Sequence, residues 1–226
     1  MNAAPRMRIA IVDDHALFAE SVALTLEHQG YAVRRIDLTD PRTTLATVLS
    51  ATLRTVPRLV LLDLCLGRVG DGTRLVAPLA ASGALVVVLT ASLSRPEWGE
   101  CLHRGALAVL LKSSSLTALS STVRRARDGL ALMSVEERTA LMEVASRHRT
   151  ENRDIASRLE HLTRREMEIL GALMRGMQVR DIARAGVVSE ATVRTQVKTI
   201  LAKLELTSQL AAVGAAHKVG WHCPRG

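Results

Sequence analysis

The segment Leu59-Val60-Leu61-Leu62-Asp63 places four apolar residues directly before a carboxylate. A short apolar run beside a turn-rich segment is typical of a strand buried in a parallel sheet. In open α/β sheets, functional residues lie at the carboxyl ends of the strands. The sequence therefore predicts that Asp63 stands at the functional edge of such a sheet.

Three further apolar segments also end in polar residues, so four predicted strands share this design. If the strands are neighbours, three carboxylates meet at one edge, where they repel each other unless a cation joins them. Mg²⁺ prefers oxygen ligands, so the pattern predicts a Mg²⁺ site with one carboxylate left to react. The additional segments are 8–12 before Asp13 and Asp14, 85–89 before Thr90, and 107–111 before Lys112.

This ordered set of polar residues resembles the receiver domain of bacterial two-component response regulators. The resemblance implies a flavodoxin-like α/β fold, a doubly wound parallel sheet of five strands, and the alternation of predicted strands and helices favours the same architecture. No glycine-rich fingerprint follows the first strand, which argues against a dinucleotide-binding enzyme. The residues that carry the resemblance are Asp13, Asp14, Asp63, Thr90 and Lys112.

The resemblance also implies a role for each of these residues. Asp63 would accept a phosphoryl group from a partner histidine kinase, Lys112 would pair with the phosphoryl oxygens, and Thr90 would turn toward them. Phosphoryl transfer depends mainly on positioning and charge neutralisation, which agrees with these roles. Mg²⁺ would be held by Asp14, Asp63 and the backbone carbonyl of Cys65, with Asp13 acting directly or through water.

Two positions depart from the receiver pattern. Gly67 stands where receivers commonly have proline, and a glycine makes the loop after Asp63 less restricted than a proline would. Val109 stands where receivers usually have a Tyr or Phe that turns inward on activation. The aromatic part of the switch is therefore missing from this chain.

Two local segments carry their own predictions. Asp40-Pro41 predicts the start of the second helix, with a cap and a first-turn proline. Residues 75–94 carry no charge and could by length span a bilayer, but Pro78 and Ser82-Gly83 interrupt them. We therefore predict a helix, a turn and a buried strand there, and no membrane span.

The length suggests one or two domains, and the composition favours packed cores and a polyanionic partner. Of the 226 residues, 48% are hydrophobic and only 2% aromatic, so the cores consist of aliphatic side chains. The net charge is +8, and residues 162–226 are the most basic part for their length. The three cysteines form no recognisable framework and the first residues do not look like a signal peptide, so we expect a cytoplasmic protein.

Residues 131–161 predict a helical linker between a first domain, 1–130, and a last domain, 162–226. A heptad-like seam of about three repeats runs along this segment. It fits either a parallel coiled coil in a homodimer or a linker helix packed against its own neighbouring domains. The residues of the seam are Leu141, Ala145, His148, Asn152, Ile155 and Leu159.

The last domain predicts an all-α helix-turn-helix unit. Thr163 with Glu166 forms a capping-box pattern, and Ser189 precedes a helix whose apolar residues repeat at four and three. The motif string from Leu162 to Leu204 resembles the DNA-binding tail of LuxR/FixJ/NarL-type regulators. The resemblance implies contacts to double-stranded DNA from Arg194, Thr195 and Lys198, with Lys203 touching the backbone.

The sequence as a whole is identified as a NarL/FixJ-type response regulator rather than an ordinary enzyme. One alternative is a constitutively dimeric DNA-binding regulator whose receiver no longer switches, which the valine at position 109 and the seam motivate. Another is a signalling module that binds a protein or small ligand and uses its tail only for assembly. An autoinducer sensor is disfavoured because it would not need the Asp, Thr and Lys set.

Overall fold

The computed structural model describes residues 6–223, which form two units divided between Ser146 and Arg147. The division falls inside one continuous helix, α6 (Val135–Glu160). The segment predicted as a linker is therefore helical, and each unit contains part of it.

The first unit alternates strands and helices as predicted. All strand pairs are parallel, and the sheet order is β2-β1-β3-β4-β5, which confirms the doubly wound α/β fold. Its elements before α6 are β1 (Arg8–Val12), α1 (Ala16–His28), β2 (Ala32–Arg35), α2 (Leu45–Arg54), β3 (Leu59–Asp63), α3 (Thr73–Ala81), β4 (Leu85–Thr90), α4 (Arg95–His103), β5 (Ala108–Leu111) and α5 (Leu116–Arg127).

The sheet has a separate hydrophobic core on each face because successive side chains of a strand point to opposite sides. Leu59 and Leu61 of β3 pack in one core with side chains of α1 and α5. Val60 and Leu62 pack in the other core with side chains of α2, α3 and α4. Every residue of β3 is buried, and Asp63 stands at the carboxyl end of the strand.

The start of α2 differs from the prediction at Asp40-Pro41. The Asp40 carboxylate accepts a hydrogen bond from the Arg42 backbone N–H and forms a turn instead of a helix cap. The helix begins after Thr44, whose hydroxyl accepts from the Thr47 backbone N–H in a capping box. The prediction was wrong because the second capping signal, four residues on, forms the helix.

The predicted seam is partly used inside the single chain. Leu141 and Ala145 are each 2% exposed in the first unit, where Leu141 belongs to the core, and Leu159 is fully buried in the core of the second unit. Between them, the Asn152 amide lies 3.4 Å from Nδ1 of His148. This packing matches a linker helix docked on its own domains, and a coiled coil over the whole seam would require those side chains to leave their cores.

The second unit is a bundle of helices with its own aliphatic core. The end of α6 packs there with the four helices that follow, as the prediction of an all-α helix-turn-helix unit requires. These helices are α7 (Arg164–Met174), α8 (Val179–Ala185), α9 (Glu190–Leu204) and α10 (Gln209–Lys218).

The uncharged segment 75–94 forms most of α3, a turn and β4. Among residues 6–223, the helices are either too short or too polar to cross a bilayer.

Candidate phosphoryl-acceptor site and nucleic-acid interface

The carboxyl ends of β1, β3 and β5 bring two buried carboxylates to one ammonium group. Nζ of Lys112 donates to Oδ1 of Asp13 at 2.8 Å and to Oδ2 of Asp63 at 2.7 Å. Both carboxylates are almost completely shielded from solvent, whereas Lys112 reaches them from a side chain that is 13% exposed. The structure thus brings together residues that are 99 and 49 positions apart in the chain.

The proton affinities at this edge reflect burial and crowding of charge. Burial raises the pKa of Asp63, and repulsion by Asp13 adds to this rise although Lys112 opposes it. Burial lowers the pKa of Lys112, but its hydrogen bonds to Asp13 and Asp63 outweigh that effect and raise it overall. Lys112 therefore remains a cation, while an additional cation would favour the ionised form of Asp63.

His15 joins the carboxylates although the sequence analysis did not assign it to the site. Its Nδ1 lies 2.8 Å from Oδ1 of Asp14 and 3.2 Å from Nζ of Lys112. The backbone N–H of His15 also donates to Oδ1 of Asp13, which fixes the turn after β1. Its position directly after Asp13 and Asp14, at the end of the first strand, is the sequence feature that could have assigned it to the site.

The carboxylate cluster fits a hard divalent cation. Ligand atoms of Asp13, Asp14, His15 and Asp63 lie within 4.8 Å of one another. Oδ2 of Asp13 is buried and has no hydrogen-bond partner within the described part of the chain. Three carboxylates face one lysine, so the site has an excess of negative charge that Mg²⁺ would neutralise. The backbone of Cys65 lies beside this cluster, because its N–H donates to Oδ1 of Asp63 at 3.2 Å.

The loop after β3 depends on the glycine that replaces the usual proline. Gly67 has φ of +54°, which a proline ring cannot adopt, and a Cβ there would lie 2.7 Å from Oδ2 of Asp14. The Arg68 guanidinium donates to the backbone carbonyls of Leu38 and Asp40. These two hydrogen bonds hold in place the loop that Gly67 was expected to make less restricted.

Thr90 lies at the same edge as Asp63 and Lys112. These three residues line a cavity of about 390 Å³ that opens beside the carboxylates. The Thr90 side chain is buried, and its hydroxyl accepts a hydrogen bond from the Ser92 backbone N–H at 3.0 Å. The cavity has room for a group attached to Asp63, with a hydroxyl and an ammonium on its wall.

The second unit presents polar and basic side chains on α9. Arg194, Thr195 and Lys198 are exposed, and their spacing of three and four places them on one side of the helix. Val193, Ile200 and Leu204 fix the opposite side in the core. Ser189 caps the start of α9 by accepting from the Thr192 backbone N–H. The arrangement is a helix-turn-helix whose second helix can enter a DNA major groove.

Lys203 is held inside the second unit. Its Nζ donates to Oε2 of the buried Glu166 at 2.7 Å and to the carbonyl of His161 at 3.3 Å. The same carboxylate oxygen accepts from the Thr163 backbone N–H at 2.7 Å. The Lys203 side chain is still 32% exposed, so its contact to the DNA backbone stays a prediction beside its pairing with Glu166.

Replacing Lys203 with methionine should lower the free energy of unfolding of the second unit by about 2 kcal/mol, because a buried carboxylate loses its counter-ion. Burial raises the pKa of Glu166, but hydrogen bonds from Lys203 and Thr163 lower it overall. A carboxyl group whose pKa is lowered by folding stabilises the fold at pH values above its ordinary pKa. This contribution disappears as the pH falls through the lowered pKa. The difference between the two proteins should therefore shrink in acid.

Urea denaturation followed by Trp221 fluorescence in a Trp98→Phe background measures this effect. Lys218→Met is the matched control, since Lys218 pairs with Glu151 at 3.5 Å on the surface and should change stability by less than about 0.5 kcal/mol. Equal losses in the two variants would show that the Glu166–Lys203 pair is not special.

Comparison with known families identifies two regions of similarity. Residues 9–124, about half of the chain, match the family described as response regulator receiver domain. Residues 160–216 match the family described as bacterial regulatory proteins, luxR family. The two matches coincide with the carboxylate site and with the helix-turn-helix.

Similar proteins extend over nearly the whole chain. A nitrate/nitrite response regulator protein homolog from Haemophilus influenzae is 26% identical, covering 92% of this chain and 94% of that protein. The transcriptional regulatory protein LiaR from Bacillus subtilis is also 26% identical, covering 94% of this chain and 97% of that protein. A structure of RcsB from Salmonella typhimurium, described as a response regulator, is 19% identical, with a TM-score of 0.51 over 95% of this chain and 99% of that one.

Proposed function

Because the chain belongs to the two-component response regulators, with a receiver domain and a luxR-type DNA-binding domain, we propose that it is phosphorylated on Asp63 and regulates transcription. The phosphoryl donor would be a partner histidine kinase. The observation that carries this proposal is the Lys112 ammonium, which lies 2.7 Å from the Asp63 carboxylate beside an open cavity. Asp63 combines burial, a cationic partner and, in this cavity, space for an added group.

In the proposed reaction, an oxygen of Asp63 attacks the phosphorus of a phosphohistidine. The N–P bond breaks as the new O–P bond forms, and no oxidant or reductant takes part. Oδ1 of Asp63 is oriented by the Cys65 N–H, and Oδ2 is oriented by Lys112. Lys112 can follow the developing negative charge of the phosphoryl oxygens, while the Thr90 hydroxyl can turn toward them.

We propose that Asp13, Asp14, Asp63 and the Cys65 carbonyl hold Mg²⁺. The unpartnered Oδ2 of Asp13 and the excess of carboxylates support this assignment. When bound, the ion would supply charge neutralisation between the carboxylates and the incoming phosphoryl group. The His15 imidazole contacts the Asp14 carboxylate in this structure, so this contact must break before Asp14 can bind the ion.

For the second unit, we propose binding to promoter DNA through Arg194, Thr195 and Lys198. Their exposure on one side of α9 supports major-groove or phosphate contacts. A homodimer would place two such helices on paired half-sites. These partners would place the protein in the cytoplasm, where it acts as a regulator rather than as an ordinary enzyme.

The first test is labelling with a small-molecule acyl phosphate in the presence of Mg²⁺. Wild-type protein should gain one alkali-labile phosphoryl group, detected by intact mass, and Asp63→Asn should gain none. Asp71→Asn is the matched control, because Asp71 lines the same cavity but is exposed and forms a surface turn. Labelling of Asp63→Asn, or no labelling of the wild type, would refute Asp63 as acceptor.

Measuring molar mass with Mg²⁺, with and without beryllofluoride, tests the proposed assembly. A shift from monomer to dimer in wild type but not in Asp63→Ala would show that phosphorylation drives dimerisation. Dimers in both proteins throughout would instead support the constitutively dimeric regulator.

A further inference from the structure

We propose that Trp98 and Gly99 of α4 transmit the state of the Asp63 site to the first turns of α6, in place of the aromatic residue that Val109 replaces. This inference rests on the proposed phosphorylation of Asp63. Trp98 acts as a positioning residue, because it contacts neither the phosphoryl acceptor nor the cation site directly. All the contacts involved lie within the first unit.

The first step links the phosphorylation site to Trp98 by two hydrogen bonds. The Thr90 hydroxyl accepts from the Ser92 backbone N–H at 3.0 Å. The carbonyl of the same Ser92 accepts from the indole Nε1–H of Trp98 at 2.9 Å. If the Thr90 hydroxyl turns toward a phosphoryl oxygen, Ser92 loses the partner that holds its backbone. The acceptor of the indole is then no longer fixed.

The second step links α4 to α6 at the residue next to Trp98. Gly99 is buried, and a Cβ at this position would collide with the backbone carbonyl of Leu141 and lie 2.8 Å from Cβ of Ala145. The Leu141 backbone and the Ala145 methyl group therefore face Gly99 directly. A displacement of α4 at this point cannot be absorbed by a rotamer change and must move α6.

Further contacts show that α6 is docked on α4 and on the segment before β5. The Arg138 guanidinium donates to the carbonyls of Leu102 and Ala106, each at 3.1 Å. Nε2 of His103 lies 3.0 Å from the Met142 carbonyl. The start of α6 therefore covers α4 and the segment before β5. In the proposed relay, phosphorylation would release α6 from this docked arrangement.

Val109 lies beside this contact but cannot report on the site as an aromatic residue would. It is half-buried against the core that contains Leu141. Its isopropyl group is short and stiff, and it has no polar atom that could form a hydrogen bond when Thr90 turns. Trp98 has a large ring that packs against the same core, and its indole N–H donates a hydrogen bond to the Ser92 carbonyl. The aromatic element of the relay therefore lies on α4 instead of β5.

Hydrogen exchange of the full chain tests the relay. In wild type, Mg²⁺ with beryllofluoride should speed exchange over residues 135–146 by about fivefold or more, the usual lower range of coupling between two sites. Trp98→Phe keeps a ring but removes the N–H, so exchange over residues 135–146 should already be fast without beryllofluoride and respond no further, while Asp63 is still labelled normally. Leu93→Ala, on an exposed side chain of the same loop, should keep the response.

Gly99→Ala gives an independent test of the helix contact. It should speed exchange over residues 135–146 without beryllofluoride, because the added methyl group displaces α6. Normal labelling of Asp63 with no response at 135–146, or a full response in Trp98→Phe, would overturn the relay and leave the proposed function intact. Failure to label Asp63 in wild type would overturn the proposed function, and the relay with it.

Discussion

Lys112→Met is expected to lower the free energy of unfolding of the first unit by about 3 kcal/mol at pH 8 without divalent cations. The change keeps the length of the side chain but leaves Asp13 and Asp63 as adjacent buried carboxylates without their shared cation. Burial already raises the pKa of Asp63, and loss of Lys112 raises it further. A carboxyl whose pKa is raised by folding destabilises the fold increasingly from its ordinary pKa up to the raised value, and by a constant amount above it. The loss should therefore be smaller at pH 5 than at pH 8.

Mg²⁺ should recover part of the lost stability, because it neutralises the same carboxylates. The gain in free energy of unfolding on adding Mg²⁺ should be larger in the variant than in wild type. The measurement is urea denaturation followed by Trp98 fluorescence in a Trp221→Phe background, with EDTA or with Mg²⁺. Arg35→Met is the control, since Arg35 lies 3.8 Å from Glu20 in an exposed pair and should cost less than about 0.5 kcal/mol. A loss that is the same at both pH values would contradict the electrostatic explanation.

Removing Arg194 and Lys198 together should weaken binding to double-stranded DNA by about 100-fold, because each contact contributes roughly 1–3 kcal/mol. The side chains are exposed on α9, and Arg194 forms a surface pair with Glu190 at 3.2 Å. Truncation to alanine should therefore leave the fold of the second unit intact. Anisotropy with a labelled mixed-sequence duplex, over a range of salt concentrations, measures both the affinity and its salt dependence.

The slope of log affinity against log salt should become shallower in the double variant, since fewer phosphates are neutralised. Arg153→Ala removes one positive charge, half of the change in the double variant, from the exposed surface of α6 and should change affinity much less. If wild-type binding does not depend on salt, the interpretation of the tail as an assembly module would gain support over DNA binding.

The strand ends could be predicted because local sequence determines them. Asp63 is the polar residue that ends the apolar run of β3, so the carboxyl end of this strand can be read from the sequence. The same logic placed Thr90 and Lys112, and the structure brings them to one cavity. His15 was missed because a single histidine has no periodic pattern, although its position after two strand-end aspartates pointed to the site.

The long-range ion pair and the helix partner could not be predicted from pattern alone. Glu166 and Lys203 are 37 residues apart, and a capping-box glutamate gives no sign that it also accepts from a lysine on another helix. The seam of α6 has a similar ambiguity, because apolar spacing of three and four is the same whether a helix meets a second copy or its own core. Leu141 and Leu159 show that burial within the chain satisfies much of that pattern.

Gly99 also has a consequence for the helix that contains it. Glycine inside a helix is less favourable than alanine by about 1 kcal/mol, so α4 is intrinsically weaker than its length suggests. The close approach of α6 compensates for this weakness only while the two helices are in contact. If α6 is released as we propose, α4 loses both its cover and its compensation, and local unfolding of α4 becomes easier. Docking of α6 therefore sets the local stability of α4, in addition to its position.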